Sequence, residues 1–240
     1  MSSIDEVVRA IHENKPRKIV VMTGAGVSAD SGIPTFRGAG GLWRNFRAED
    51  LATPEAFRRD PQTVWEWYEW RRGLIRDAQP NAAHEALARL DDAVIVTQNV
   101  DGLHTRAGSR DVVELHGNIF RVSCVREGKP RMHEEPFDRV PPHCECGALL
   151  RPGVVWFGEA LPPDAVERAV GAIHNADLLL VIGTSGVVYP AAGFVSLHDG
   201  LSIEINPETS GVSSSCTYAI PARAAEATPA IVDAILEVSA

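Results

Sequence analysis

The apolar run Ile19-Val20-Val21-Met22 passes straight into Thr23-Gly24-Ala25-Gly26-Val27-Ser28-Ala29-Asp30-Ser31-Gly32, and this junction constrains the fold more than any other stretch of the chain. A buried strand that breaks into small residues lets backbone press against a phosphate, and a following helix aims its unpaired N–H groups at the negative charge. A tight turn needing positive φ would account for the glycines as well. Thr23 and Ser28 add hydroxyls beside the turn, Asp30 and Arg37 add charge, and Phe36 adds a flat apolar surface for a ring. The acidic residue that a dinucleotide fingerprint places about 20 positions further on, for the ribose hydroxyls, is not evident, so a plain dehydrogenase reading loses ground.

Six apolar runs read as buried strands: Lys18–Thr23, Ala93–Thr97, Val112–Leu115, Leu178–Ile182, Leu201–Ile205 and Thr217–Ile220. Helical patterns lie between some of them, over Ala82–Leu90 and Pro163–Asn175. Alternating strands and helices predict an α/β fold, a Rossmann-like doubly wound parallel sheet with ligand at the carboxyl ends of its strands. Two stretches interrupt the alternation. Pro34–Pro80 holds four of the five tryptophans and a long helical pattern, while Phe120–Pro152 holds three of the four cysteines and five prolines. They are expected as a helical insertion (34–80) and a small Cys-bearing module (120–152) on a sheet domain built from 1–33, 81–119 and 153–240.

At 240 residues the chain can bury a sizeable core. No stretch approaches the roughly 20 apolar residues of a membrane span. Ile4, Val7, Val8 and Ile11 sit at helical spacing near the start, without the apolar block or cleavage site of a signal peptide. A cytoplasmic protein with no membrane partner is expected. The formal net charge of −9 disfavours direct binding to nucleic acid, which relies on Lys and Arg neutralising phosphates.

Four blocks spread over nearly the whole chain carry a resemblance: the glycine-rich run through Gly38, Thr97-Gln98-Asn99-Val100-Asp101-Gly102-Leu103-His104, Glu114-Leu115-His116-Gly117, and Gly183-Thr184-Ser185. In type and order they resemble those of the sirtuins, NAD-dependent protein lysine deacylases. The resemblance implies that NAD is consumed: nicotinamide leaves as the acyl-lysine oxygen attacks C1′ of the ribose, and a histidine then deprotonates the ribose so that its 2′-hydroxyl attacks the intermediate. Free lysine, nicotinamide and O-acyl-ADP-ribose result. His116 matches that histidine, and a pKa near neutrality suits a group that accepts and later returns a proton. Asn99 and Asp101 complete the catalytic set. The cofactor contacts carried over are Gly24, Ala25, Gly26, Ser28, Thr35, Phe36, Arg37 and Trp43 in the first loop, Gln98, Asn99 and Asp101 in the second, and Gly183, Thr184, Ser185, Asn206 and Ala222 on the adenosine side. Val154–Glu159 and Gly186–Tyr189 match the two segments that clamp an extended peptide in this family. Val155, Phe157, Gly158, Glu159 and Val187 are therefore expected to bind acyl-lysine proteins, largely through main chain.

Within the helical insertion, three-residue spacing puts Tyr68 and Arg71 on one helix face. A guanidinium grips a carboxylate with two parallel bonds and a phenol adds a third, which suits an acyl chain that ends in an acid. An amphipathic surface helix with Arg71 solvated is the plainer alternative. The pair, with Ala52 in Leu51-Ala52-Thr53-Pro54 and the run Gly38–Arg44, looks like the class III sirtuins, whose preferred substrates are succinyl-, malonyl- and glutaryl-lysine. In that class a small residue at the place of Ala52 leaves room for the longer chain. The expected activity is removal of succinyl or malonyl, and more weakly acetyl, from lysine. Protein mono-ADP-ribosyl transfer and non-catalytic NAD sensing are the rival functions.

Sirtuins usually hold a structural zinc with two Cys-x-x-Cys pairs. Here Glu127 stands where the partner of Cys124 belongs, and Cys144-Glu145-Cys146 is one residue tighter than usual. Cys124, Cys144 and Cys146, completed by His143 or His133 or by an oxygen of Glu127, make a chemically sound zinc site; a metal-free module held by packing is the alternative. Cys216, expected on a strand, reads as a buried small apolar residue.

Overall fold

The structure is a computed structural model and describes residues 2–35 and 46–239. Helix α1 (Ile4–Asn14) starts on Ser3, whose side chain accepts from the Glu6 N–H, and buries Val7, Ala10 and Ile11. Strand β1 (Ile19–Thr23) is buried at every position and leads into a 3₁₀ helix over Ala25–Ser31. Three helices follow, α2 (Ala48–Leu51), α3 (Pro54–Arg59) and α4 (Pro61–Asp77). Next come α5 (Ala82–Leu87), β2 (Val94–Thr97), α6 (Leu103–Ala107) and β3 (Asp111–Glu114). The chain then forms β4 (Gly117–Cys124), β5 (Pro130–Met132) and β6 (Leu150–Val154). It ends with α7 (Pro163–His174), β7 (Leu178–Ile182), α8 (Ala191–Phe194), β8 (Leu201–Ile205), β9 (Tyr218–Ile220) and α9 (Ala224–Ser239).

The six strands expected from the sequence are the six of one sheet, in the order β3-β2-β1-β7-β8-β9 with every pairing parallel. Side chains alternate between its faces, and both faces are covered. Val21, Ile95, Leu180 and Ile203 pack with Val7 of α1, Leu87 of α5 and Ile231 of α9. Val20, Met22, Val96 and Leu179 pack with Ile173 of α7 and Phe194 of α8. Strand β9 begins after Cys216, which lies half-buried before it rather than within it.

Strand order reverses between β1 and β7, and in open α/β sheets a ligand crevice forms outside the carboxyl ends at such a switch. The glycines after β1 serve this junction first. Gly26 N–H donates to the Gly183 carbonyl at 2.8 Å, and a Cβ on Gly26 would stand 2.7 Å from Gly183 Cα. The closest approach that demands glycine is therefore to the neighbouring strand end, and the helix after the turn is 3₁₀ rather than α.

The second sheet, β5-β4-β6, is antiparallel and was not among the expected strands: β4 is buried at six of its eight positions and alternates only over Phe120–Cys124, and β5 is exposed throughout. It shares one core with α2–α4, where Phe57, Trp65 and Trp67 meet Ile119, Val122 and Leu150. Asp60 caps α4 by accepting from the Thr63 N–H at 3.0 Å, with Pro61 at the first helical position. Trp65 Nε1 donates to the Leu150 carbonyl at 2.8 Å. The fully buried Arg72 donates to the carbonyls of Ile119, His133 and Glu135 at 3.1, 2.6 and 2.9 Å, and its Nε lies 2.6 Å from Glu69 Oε1. Among the described residues no helix is long and apolar enough to cross a membrane.

Candidate active site

At the switch point the structure has a cavity of about 680 Å³. One part of its wall includes Gly24–Gly26, Thr35, Gln98, Asn99, His116, Gly183–Ser185 and Asn206; another includes Ala52, Tyr68 and Arg71; a third includes Val155, Phe157–Glu159 and Val187. Phe36, Arg37 and Trp43 lie outside the described residues.

His116 sits in the turn from β3 to β4, where the Val155 N–H donates to its carbonyl at 2.9 Å. Gly117 follows with φ +77°, and a Cβ there would stand 2.3 Å from the Gly153 carbonyl oxygen. That glycine therefore lets β4 pass β6, not a ligand. The His116 Nδ1 is 2.9 Å from the Gln98 carbonyl, which can only accept, so Nδ1 carries the proton and Nε2 is the basic atom. Burial holds its pKa below the ordinary 6.5, opposed by the Gln98 carbonyl.

Behind His116 lies a buried polar network. Ser28 Oγ donates to Asp101 Oδ2 at 2.8 Å and accepts from Asn99 Nδ2 at 3.1 Å, while the Leu103 N–H donates to Asp101 Oδ1 at 2.9 Å. Asp101 and Ser28 do not line the main cavity; with Ala25, Asn99 and Arg71 they border a void of about 20 Å³ beside it. Burial raises the Asp101 pKa, opposed by the Leu103 N–H, Ser28 and Arg71. Further in, the rings of His84 and His104 lie 4.8 Å apart, and His104 Nε2 is 3.0 Å from Thr23 Oγ1. Burial pushes their pKa values down to about 4 and about 3, so both are neutral near pH 7.

Gln98 Nε2 donates to Thr184 Oγ1 at 3.1 Å, and Asn206 Nδ2 to the Thr184 carbonyl at 2.8 Å, joining the ends of β2, β7 and β8. Ala222 is not on the cavity wall; it packs on the sheet core, and Arg223 and Ala224 take the wall position beside it. On the helical side, Tyr68 and Arg71 are 3% and 8% exposed, so the solvated-surface alternative for Arg71 is set aside. Burial lowers the Arg71 pKa, opposed by Tyr68 and Asp101, and its guanidinium stands 5.4 Å from the Trp67 ring centre. Burial likewise raises the Tyr68 pKa above its ordinary 10. The Phe157 N–H donates to the Ala52 carbonyl at 2.9 Å, tying the expected peptide segment to the expected acyl pocket.

A profile of the Sir2 family matches residues 24–190. The chain belongs to the Sir2 family. It is 55% identical to an NAD-dependent protein deacylase of Aquifex aeolicus (strain VF5) over 204 residues, which cover 81% of this chain and 85% of that one. It is 50% identical to one of Thermococcus kodakarensis, covering 94% of each. Among solved structures, a Sir2 homolog–NAD complex matches with a TM-score of 0.91 at 44% identity, covering 98% of this chain and 95% of that one. A Sir2–p53 peptide–NAD+ complex matches with a TM-score of 0.83 at 32% identity, covering 96% and 97%.

Several wall residues of this Sir2 chain escaped the sequence reading. Glu208 and Arg223 line the cavity near Asn206, and Arg223 Nε is 3.4 Å from Asp30 Oδ1. Their signal was position alone, just beyond the ends of β8 and β9. Trp156 lines it too, within the segment read as peptide-binding.

The Sir2 cysteine module brings Cys124, Cys144 and Cys146 together, all three Sγ atoms within 4.8 Å of one another and Cys124 to Cys146 at 3.5 Å. Backbone N–H groups of Glu127 and Arg126 lower the Cys124 pKa against its burial, which favours the metal-binding thiolate. Three converging thiols fit three corners of a tetrahedral zinc site. Among the described residues no fourth carboxylate or histidine joins them. Glu127 Oε2 is 3.8 Å from Lys129 Nζ, His143 lies in a backbone bridge to Leu149, and His133 stacks on Phe137 with ring centres 4.1 Å apart.

Proposed function

We propose that this Sir2-family chain is an NAD-dependent protein lysine deacylase that prefers acyl groups ending in a carboxylate. The deacylase reading is supported by the names of its relatives and by the NAD and peptide complexes among its structural neighbours. NAD supplies the ribose carbon that takes up the acyl group once nicotinamide departs. The uncharged hydroxyls and amides of Gln98, Thr184, Ser185 and Asn206 hold the nucleotide at the strand ends. Asn99, steadied by Ser28, borders the reacting end, and Asp101 fixes Ser28 from behind. His116 accepts a ribose hydroxyl proton at Nε2, and the Gln98 carbonyl on Nδ1–H stabilises the imidazolium that forms. Val155, Gly158 and Val187 take the peptide main chain. Cys124, Cys144 and Cys146 hold a structural zinc; about one zinc per chain is expected by mass spectrometry of untagged protein.

The acidic preference rests on one observation: Tyr68 and Arg71, both buried, line the same cavity as His116, with the small Ala52 beside them. A buried guanidinium gains most from an anionic partner. The test is nicotinamide release from NAD with matched acetyl-, succinyl- and unmodified lysine peptides, with His116→Tyr as the blank. Faster turnover on succinyl-lysine that vanishes in the variant is the expected result. Release confined to acetyl-lysine would remove the roles given to Tyr68 and Arg71.

A further inference from the structure

Trp156 is 3% exposed and lines the cavity, yet its contacts are more specific than packing requires. Its backbone N–H donates to Glu159 Oε2 at 2.9 Å, and Arg151 holds the same carboxylate through Nη1 at 2.7 Å and Nη2 at 2.8 Å. The Arg151 guanidinium lies 3.8 Å from the Trp156 ring centre, and Phe57 packs against the ring with centres 5.1 Å apart. The indole is thereby fixed. Its one polar atom, Nε1–H, donates to the Tyr68 hydroxyl oxygen at 2.9 Å.

An indole N–H can only donate, so this bond occupies the acceptor side of the phenol. Among the described residues no acceptor takes the phenol's own proton. We propose that Trp156 is a specificity-determining positioning residue: by filling the Tyr68 oxygen it turns the Tyr68 proton towards the acyl group, so that Tyr68, like the guanidinium beside it, offers donors and no acceptor, which favours an acceptor-only terminus, a carboxylate. A terminal amide of the same length brings N–H groups that neither residue can accept, and an unsatisfied buried donor is costly. The bond from Trp156 also polarises the Tyr68 O–H and strengthens what it donates. Glu159, read from the sequence as a substrate contact, acts in this arrangement by holding Trp156.

The inference rests on the acidic-acyl reading above, and one experiment separates the two. kcat/KM is measured on matched peptides carrying succinyl-lysine, its terminal-amide analogue and acetyl-lysine, for wild type, Trp156→Phe, Tyr68→Phe and the double variant. Wild type is expected to favour succinyl over the amide. Trp156→Phe should lower that ratio about tenfold, the weight of roughly one hydrogen bond, mainly through KM. In the Tyr68→Phe background the same change should leave the ratio where it is, because the oxygen it served is gone. Where Trp156→Phe does not fold, 3-benzothienylalanine at position 156 keeps the ring shape without the N–H and gives the same readout. A Trp156 change that scales all three substrates alike, or lowers the ratio equally with and without the Tyr68 hydroxyl, overturns the inference and leaves the acidic-acyl reading standing. A wild type indifferent to succinyl against amide overturns both.

Discussion

Two parts of the cavity wall, the strand ends and the helical side, are built on different physical principles. The sheet part is set by backbone: parallel strands end together, glycines let β1 and β7 touch, and short polar side chains are held by carbonyls and by one another. The helical part is set by long side chains reaching across chain segments, with Trp65 and Arg72 donating to carbonyls of the second sheet and Trp156 donating to Tyr68. The lesson concerns division of labour. A backbone-built wall offers the same chemistry to any acyl group, whereas a wall of converging side chains can discriminate among them, since one substitution changes what it accepts.

The largest expected effect tests the shared chemistry. His116→Tyr should cut turnover on acetyl- and succinyl-lysine alike by about 10²–10⁴-fold, the usual worth of a general base, as read by nicotinamide release. A loss confined to one acyl group would break the comparison. Next comes the scaffold of the helical part. Arg72→Met leaves Glu69 without its ion-pair partner and three carbonyls without their buried donor, and should cost about 3–5 kcal/mol in urea unfolding. Its neighbour Arg71 should behave differently. Arg71→Met is expected to lower the succinyl-to-acetyl ratio of kcat/KM by roughly 2–4 kcal/mol of discrimination. Equal loss on both substrates would return discrimination to the sheet part.

Per pH unit, the smallest effect concerns the core behind His116. Burial depresses His84 and His104 from 6.5 to about 4 and about 3, so the folded protein binds fewer protons than the unfolded chain between those values. Their contribution is complete above pH 6.5 and is lost as pH falls towards the folded values, each adding a slope of about 1.4 kcal/mol per pH unit within its window. Urea titrations at successive pH values should show that slope, and His104→Asn should flatten it. An unchanged slope in the variant would mean that His104 does not titrate on unfolding as its burial demands.

What could be read in advance follows the same division. The parallel strands were legible because a strand buried on both faces is a run of apolar residues, visible without knowing its partners. The second sheet was not, since β5 is exposed and β4 alternates only over Phe120–Cys124. Tyr68 and Arg71 were legible as a helix-face pair, and Glu159 as part of its segment. That Glu159 spends its carboxylate on Arg151 and Trp156 was not, because those bonds depend on side-chain geometry that residue spacing does not carry. Asp101 shows the same limit: its motif marked it as functional, and the structure sets it one layer behind the cavity wall.

The sequence by itself determined the strand-and-glycine framework, the family, and the residue types gathered at the strand ends, because these follow from local periodicity and from motifs contiguous in the chain. Only the tertiary structure decided which nitrogen of His116 is basic, that Arg71 and Arg72, adjacent in sequence, serve a pocket and a scaffold, and that three cysteines converge without a fourth donor among the described residues. The reason is physical. A proton's position, a buried charge's partner and a metal's coordination are each fixed by atoms brought within a few ångströms by folding, from residues tens of positions apart.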